Sequence, residues 1–308
     1  EPMIRTRYYG WPLVGVGFLF YGLGIAPAYY SWGFFAPEII DDLGITRQHV
    51  GEIFGTFTLT LALTSMLSAT AIQRWGLRIT VTVGALVASI GWFLVSRAES
   101  MVDFYLSYAL LGGIGLGLST LMPAQTLSVF WFKRYRARAT AVIFFGAAVF
   151  GAIVTPIDAM ILERSDWRSA WIYISATSIL VAIIAAVFLR NRPEDIGQRC
   201  DGDLVQYQES SDSNTTPIDN EISDLTEKRF TLRQAIVTPQ FMIATFADIA
   251  NTIPWRVITA HGRLHLESLG FAPTVAAAIL GVRVGMSGVG RLSGSFSDFV
   301  RPTQVMAL

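Results

Sequence analysis

The stretch FYLSYALLGGIGLGLSTLMPAQTLSVFWF, residues 104–132, contains 29 residues and not one charged side chain. The hydrocarbon core of a bilayer is about 30 Å thick, and an α-helix needs roughly 20 apolar residues to cross it. A soluble helix rarely runs this far without a charge on its solvated face. The stretch therefore predicts a membrane-spanning helix.

Five further stretches between residues 11 and 189 share this property, since each contains at least 18 residues and no charge. They are 11–37, 53–72, 79–96, 139–157 and 169–189. Two more apolar segments, 238–262 and 274–297, contain two charged residues each. The pattern predicts an all-α membrane protein that crosses the bilayer repeatedly.

The composition agrees with a membrane protein and excludes other classes. Hydrophobic residues make up 52% of the chain and charged residues 15%, whereas soluble domains contain about 25% charged residues. The formal net charge is zero, so there is no electrostatic basis for binding nucleic acid. The single cysteine, Cys200, cannot form a disulfide within one chain.

The basic residues set the expected orientation. If the first helix runs outward from the cytoplasm, fifteen Lys and Arg residues fall on the inside and five on the outside. Because cytoplasmic loops carry the excess of Lys and Arg, we expect a cytoplasmic N-terminus. We expect a multi-pass protein of the bacterial inner (cell) membrane.

A polar segment divides the chain into three parts. We predict an N-terminal six-helix bundle at 1–190, a cytoplasmic linker at 191–233 and the start of a C-terminal bundle at 234–308. The linker has few large apolar residues, which predicts a disordered or loosely helical segment. Since six helices precede the linker and two follow it, we expect the chain to be part of a longer protein.

Glycines are concentrated in the fourth apolar stretch. Gly113 and Gly117 are four residues apart, a spacing that lets the backbone of another helix approach closely. We predict a packing seam between this helix and a neighbour.

Two arginines lie within the last apolar segment. An arginine at the centre of a membrane helix costs roughly 2.5–3.5 kcal/mol on insertion scales, so it usually faces a partner or a water-filled cavity. Arg291 follows Arg283 by eight positions, about 80° around the helix, so both can face one side. Arg283 either binds the carboxylate of an anionic substrate through its planar guanidinium, or pairs with an acid on a neighbouring helix. Arg291 either assists it or organises an inner gate.

Three polar residues occupy one side of the preceding segment: Asp248, Asn251 and Arg256. They line the same cavity, or Asp248 pairs with Arg283 or Arg256. We favour pairing, because buried charges are seldom left alone.

Polar and aromatic residues cluster near the expected outer ends of the helices. An interfacial aromatic set is predicted at Tyr29, Tyr30 and Trp32, and a short acidic outer loop at Glu38, Asp41 and Asp42. Asp158 ends the fifth stretch and is a proton or cation site, or an interfacial carboxylate. We favour the interface, because a charge costs less there.

Two short strings stand at equivalent places in the two halves, ATAIQRWGLR at 69–78 and GRLSGSFSD at 290–298. Both resemble the inner-loop signature of the major facilitator superfamily. The resemblance implies the major facilitator fold, here a six-helix N-terminal bundle and the first two helices of the C-terminal bundle. It also implies gating roles at the signature positions, which are Gln73, Arg74, Gly76, Arg78, Gly294 and Asp298. Gln73 stands where the family usually has an acid.

Within the superfamily, the chain is most similar to the monocarboxylate-transporter and oxalate/formate-antiporter branch. The matching strings are YGW at 9–11, WFKR at 131–134, DWRSA at 166–170, RPEDIG at 192–197 and TPQF at 238–241. Tyr30 stands where animal monocarboxylate carriers have a lysine and Ser287 where they have an aspartate, whereas Arg291 matches their arginine. The resemblance therefore favours an anion carrier that relies on arginine. The candidate substrate-binding residues are Tyr30, Asp248, Asn251, Arg256, Arg283 and Arg291.

The resemblance implies a secondary active transporter of small organic anions that works by alternating access. The expected partners are a small carboxylate, a coupled proton or counter-anion, and the lipid bilayer, with a monomer as the functional unit. The alternatives are a non-transporting membrane sensor or subunit with the same fold, and a facilitator for a neutral or cationic solute.

An enzyme is not expected, because no nucleophile is paired with a base and no Gly-rich phosphate cradle is present. The three histidines, His49, His261 and His265, lie near the expected outer face. The last two are four apart, but no cysteine or acid pair completes a tetrahedral metal site. We therefore expect no cofactor and no metal.

Overall fold

The computed structural model describes residues 8–201 and 236–293, and within these ranges the regular structure is entirely helical. The α-helices are α1 (Gly10–Leu43), α2 (Arg47–Val95), α3 (Met101–Phe104), α4 (Gly113–Ser119), α5 (Leu121–Trp131), α6 (Arg136–Arg164), α7 (Trp167–Phe188), α8 (Pro239–Ser268) and α9 (Pro273–Ser293). A π-helical segment, Tyr105–Gly112, joins α3 to α4, and a 3₁₀ turn, Pro193–Ile196, follows α7. The predicted all-α class is confirmed.

Six helical runs in the described part are long and apolar enough to cross a membrane: α1, α2, the run Met101–Trp131, α6, α7 and α9. Helix α1 begins at one end of the bundle, here called the Gly10 end, and reaches the other at Glu38, called the Glu38 end. The 30-residue α8 is about 45 Å long at 1.5 Å per residue, but its composition is more polar than that of the six.

Helix α2 contains two crossings, because its 49 residues are about twice the length that one crossing needs. The break lies at Gly76, whose φ of 82° and ψ of 163° are open only to glycine. The backbone N–H of Arg78 donates to the Asn191 side chain at 2.9 Å, and a Cβ on Gly76 would lie 2.7 Å from that side chain. Gly76 therefore makes the reversal that separates stretches 53–72 and 79–96.

Helix α4 lies between the two halves of α2, and glycine allows this approach. A Cβ on Gly113 would lie 2.8 Å from the Cβ of Thr60, and one on Gly117 would lie 2.6 Å from the Cβ of Thr64. On the opposite side, a Cβ on Gly115 would lie 2.6 Å from the Cα of Ala88. The predicted packing seam is confirmed.

We expect Gly117→Ala to lower the melting temperature of the full-length protein in detergent, whereas Gly55→Ala leaves it unchanged or slightly raises it. Overpacking a close helix contact costs about 1–3 kcal/mol. No atom lies within 4 Å of a Cβ placed on Gly55, so that alanine only favours the helix. Equal melting temperatures for the two variants would contradict the seam.

The DWRSA string forms the start of α7. The Asp166 carboxylate caps the helix by accepting hydrogen bonds from the Ser169 hydroxyl at 2.7 Å and the Ser169 amide at 2.9 Å. These hydrogen bonds lower the pKa of Asp166 below its usual range. Arg168 pairs with Asp42 of α1 and lies over the ring of Trp167. The string therefore joins the ends of two helices.

Two expectations for the end of α1 are wrong. Trp32 is not interfacial: it is fully buried, stacks on Tyr108 at 4.2 Å between ring centroids, and donates from Nε1 to the Val50 carbonyl at 3.2 Å. The acidic residues from Glu38 onward do not form a loop, because α1 continues to Leu43. The first error arises because Trp32 packs against Phe104 and Tyr108 of the neighbouring helical run, and the second because the helix is longer than its charge-free stretch.

Several predictions concern residues that are not described. Gly294, Asp298 and residues 202–235 of the linker lie outside the described ranges. The predicted boundaries at 190 and 233 stay predictions.

Candidate functional site

Arg283 lies on α9 against a polar and aromatic face of α8. Its Nη2 atom donates to the Thr259 hydroxyl at 3.1 Å, and its guanidinium carbon lies 4.0 Å from the ring centroid of Trp255. Because Trp255 and Thr259 are four residues apart on one helix, they present a ring and a hydroxyl to the same guanidinium. The aromatic face stabilises the cation without neutralising it.

The other two guanidinium nitrogens of Arg283 are the most informative atoms of the site. Nε and Nη1 are buried, and neither donates to any atom of the described residues. Tyr29 and Tyr30 lie beside Arg283, and no carboxylate of the described residues is within salt-bridge distance of it. An acid on a neighbouring helix, the alternative partner for Arg283, is therefore not found within residues 8–201 and 236–293.

A cavity of about 10 Å³ adjoins the guanidinium, which is room for about one water molecule. It is lined by Tyr30, Phe34, Thr155, Ile258, Thr259, Leu280, Arg283 and Val284. These residues belong to α1, α6, α8 and α9. Helices from both sides of the polar linker therefore meet at Arg283.

Tyr30 connects Arg283 to Arg291. The Arg291 guanidinium lies beside the hydroxyls of Tyr21 and Tyr30, and its Nη1 donates to the Phe144 carbonyl at 2.8 Å. Gly151 provides the space for this tyrosine, since a Cβ there would lie 2.5 Å from the Tyr30 ring. The structure thus brings together three of the predicted residues.

The polar residues of α8 divide into two groups. Arg256 is partly buried and acts electrostatically on Tyr29. Asp248 and Asn251 are exposed, and neither has a hydrogen bond or ion pair within the described part of the chain. The favoured pairing of Asp248 with Arg283 or Arg256 is therefore wrong. Asp248 lies on the side of α8 that suits a pair with Arg283. However, Arg283 packs against Trp255, and Asp248 precedes Trp255 by seven residues, about 11 Å along the helix axis.

A larger cavity of about 980 Å³ lies toward the Gly10 end. Its walls come from α5, the first turns of α6 and the last turns of α9, and they include Gln125, Arg136, Thr140 and Arg291. Arg291 therefore faces this cavity and also reaches Tyr30. The signature residues Gln73 and Arg74 are exposed on the same end, and their gating role stays a prediction.

At the Glu38 end, α8 is joined to α1 by an arginine that the sequence pattern did not single out. Arg263 of α8 is 3% exposed and donates to both carboxylate oxygens of Glu38, at 2.7 and 2.9 Å. It also pairs with Glu267 at 2.7 Å, donates to the Phe34 carbonyl and lies 4.4 Å from the Phe34 ring centroid. The i, i+4 spacing to Glu267 was visible in the sequence, but the contact to α1 was not.

Asp158 is not at an interface, so the favoured interpretation of this residue is wrong. Helix α6 continues to Arg164, and Asp158 is 3% exposed. The Ser31 hydroxyl of α1 donates to its Oδ2 atom at 2.6 Å. The carboxyl therefore lies between two packed helices, on the Glu38 side of the Arg283 cavity.

Comparison with known proteins gives one family. A family model described as Major Facilitator Superfamily matches residues 9–308. Monocarboxylate transporter 3 of Mus musculus is 28% identical over 170 residues, which cover 53% of this chain and 33% of the relative. The hexuronate transporter of Bacillus subtilis (strain 168) is 26% identical over 163 residues, 52% of this chain and 38% of the relative. The matched part of the chain thus spans 33–38% of the length of these two relatives.

A solved structure has the same fold. It is a bacterial homologue of the human lysosomal transporter Spinster in an inward-facing and unoccupied conformation, with a TM-score of 0.70 and 17% identity. The match covers 97% of this chain and 64% of that one.

Proposed function

This chain belongs to the Major Facilitator Superfamily, and we propose that the full-length protein carries small carboxylates across a membrane by alternating access. The chain is a multi-pass integral membrane protein of the predicted fold. The relatives that it matches are transporters, and we assign no catalytic activity to it.

The observation that carries this proposal is the half-buried guanidinium of Arg283. Two of its nitrogens donate to no described residue, and the groups around it are tyrosine, tryptophan and threonine rather than acids. A carboxylate would accept two hydrogen bonds from the planar fork, and such charge-assisted bonds are stronger than neutral ones. The aromatic rings would contact the apolar part of a small organic anion.

The same charges disfavour other solutes. Arg256, Arg283 and Arg291 would repel an organic cation, since none of them is paired with a carboxylate within the described part. A neutral solute could accept hydrogen bonds from Nε and Nη1 of Arg283, but these bonds would be weaker than those to a carboxylate. The names of two matched relatives, a monocarboxylate transporter and a hexuronate transporter, denote carboxylate substrates. These names support an anionic substrate for this chain.

Alternating access is supported by the difference between the two ends. Arg263 joins α8 to α1 at the Glu38 end, whereas a cavity of about 980 Å³ lies toward the Gly10 end. Such an arrangement suits a carrier in which two bundles rock about a central site. We propose further that Arg291 links the cavity to this site through Tyr30, and that the Gly10 end faces the cytoplasm of a bacterium.

A counterflow experiment tests the proposal. Proteoliposomes that contain the full-length protein are loaded with unlabelled solute and diluted into the labelled form. We expect labelled lactate or a dicarboxylate to accumulate transiently, and lactamide, the neutral analogue of lactate, not to. Transport restricted to sugars or organic cations would contradict the proposal.

A further inference from the structure

Asp158 is a buried acid that the binding of an anion does not use. Asp158 is 3% exposed and lies where α6 packs against α1. The Ser31 hydroxyl, 2.6 Å from Oδ2, is the hydrogen-bond donor that reaches it from α1. An ionised carboxylate at such a position is costly unless a cation or several donors satisfy it.

Within residues 8–201 and 236–293, no cation forms an ion pair with Asp158. Arg263 of α8 acts on it electrostatically but is not within salt-bridge distance. Glu38 of α1 and Glu267 of α8 already pair with Arg263 at 2.7 Å each. Since two carboxylates share one guanidinium, an ionised Asp158 would add a third negative charge beside a single positive one.

The carboxyl adjoins the Arg283 cavity. Ser31 directly follows Tyr30 in the chain, and Thr155 precedes Asp158 by three residues on α6. Both Tyr30 and Thr155 line that cavity, together with Arg283 of α9. The charge on Asp158 therefore acts on the same two helical segments that frame the site for the anion.

We propose that Asp158 is a proton-binding site that couples proton movement to transport, an inference that rests on the proposed carrier function. The carboxylate takes a proton from water on one side of the membrane and becomes a neutral acid. It returns this proton to water on the other side, so no electrons move and no other bond changes. The Ser31 hydroxyl serves both states, because it donates to the carboxylate and accepts from the acid.

A proton suits this site better than a metal cation. Hard cations take about six or more oxygen ligands. In the part of the chain that the structure describes, the Ser31 hydroxyl is the group within hydrogen-bond distance of the Asp158 carboxyl, and no group of three or more His, Cys, Asp or Glu residues that could hold a metal ion is found. A proton needs only the carboxyl and one hydrogen-bond partner.

The first test does not depend on a substrate. Infrared spectra of the ligand-free, full-length protein are recorded across a range of pH. We expect a C=O band of a protonated carboxyl that titrates with pH, disappears in Asp158→Asn and persists in Glu163→Gln, which changes an exposed acid on the same helix. Ser31→Ala keeps Asp158 and should shift the pH at which this band titrates. A spectrum unchanged by Asp158→Asn would overturn the proposal.

The second test separates coupling from transport. In proteoliposomes, Asp158→Asn should lower carboxylate uptake driven by a pH gradient about tenfold or more, the size of a typical coupling between two sites. Exchange of labelled for unlabelled carboxylate should be retained. Equal loss of both activities, or uptake driven by sodium instead of protons, would overturn the proposal. If wild-type protein moves no carboxylate but shows the infrared band, the carrier function fails and the proton site stands.

Discussion

Arg283→Ala is expected to abolish the uptake of a labelled carboxylate by the full-length protein. The substitution removes Nε and Nη1, the two buried donors that no described residue satisfies. Hydrogen bonds to charged groups contribute about 1.5–3 kcal/mol each, so the loss of two predicts a decrease of roughly 10²–10⁴-fold. Arg283→Lys keeps the charge but not the planar fork, and should recover only a small part of the activity.

Folding should not be the cause of this loss. An arginine inside a membrane helix costs roughly 2.5–3.5 kcal/mol on insertion scales, so alanine at this position should not hinder insertion. Expression and melting temperature are therefore measured together with the initial rate of uptake.

The matched control for Arg283 is Arg97→Ala. Arg97 also lies over an aromatic ring, that of Phe93 at 5.5 Å, but it is exposed at the Glu38 end. We expect its removal to leave uptake close to that of the wild type. Unchanged uptake after Arg283→Ala would remove this residue from the site and, with it, the main support for an organic anion.

Residues whose properties are set by the bilayer or by local spacing could be predicted from the sequence. The charge-free stretches predicted the spans because hydrocarbon excludes charge over a fixed thickness. Gly113 and Gly117 predicted a seam because their spacing is itself the geometric requirement for close approach. The cost of a charge in an apolar segment predicted that Arg283 faces a partner or a cavity, and its side chain does line a cavity.

Residues whose role depends on a neighbouring helix could not be predicted in this way. Asp248 has a helical phase that suits a pair with Arg283, but the sequence gives no information on relative height along two different helices. Asp158 and Arg263 stand near the ends of apolar stretches, where exposure is the ordinary state. Both are buried because α1 packs against α6 and α8. That packing depends on contacts that are distant in the sequence.

Gly33 determines how closely α1 and α8 pack at the Glu38 end. A Cβ on Gly33 would strike the Thr259 carbonyl oxygen and lie 3.0 Å from that of Ala260. Both obstacles are backbone atoms of α8, so no side chain can move aside to make room. The same pair of helices is joined by Arg263 and Glu38.

We therefore expect Gly33→Val to hold the Glu38 end open and to abolish uptake, whereas Gly15→Ala on the same helix has little effect. No atom lies within 4 Å of a Cβ placed on Gly15. An overpacking cost of about 1–3 kcal/mol shifts the ratio of closed to open states roughly 5–150-fold. The shift is measured with Ala260→Cys, a buried position on α8, after Cys200 is replaced by serine.

A membrane-impermeant thiol reagent added on the Glu38 side should label Cys at 260 slowly with glycine at position 33 and quickly with valine. Arg263→Gln should increase labelling in the same direction, because it removes the ion pair while leaving the glycine contact. If Arg263→Gln increases labelling and Gly33→Val does not, the ion pair and not the backbone contact controls the closure of the Glu38 end. If neither substitution changes labelling, α1 and α8 do not control access from this end, and the path to Arg283 must open between other helices.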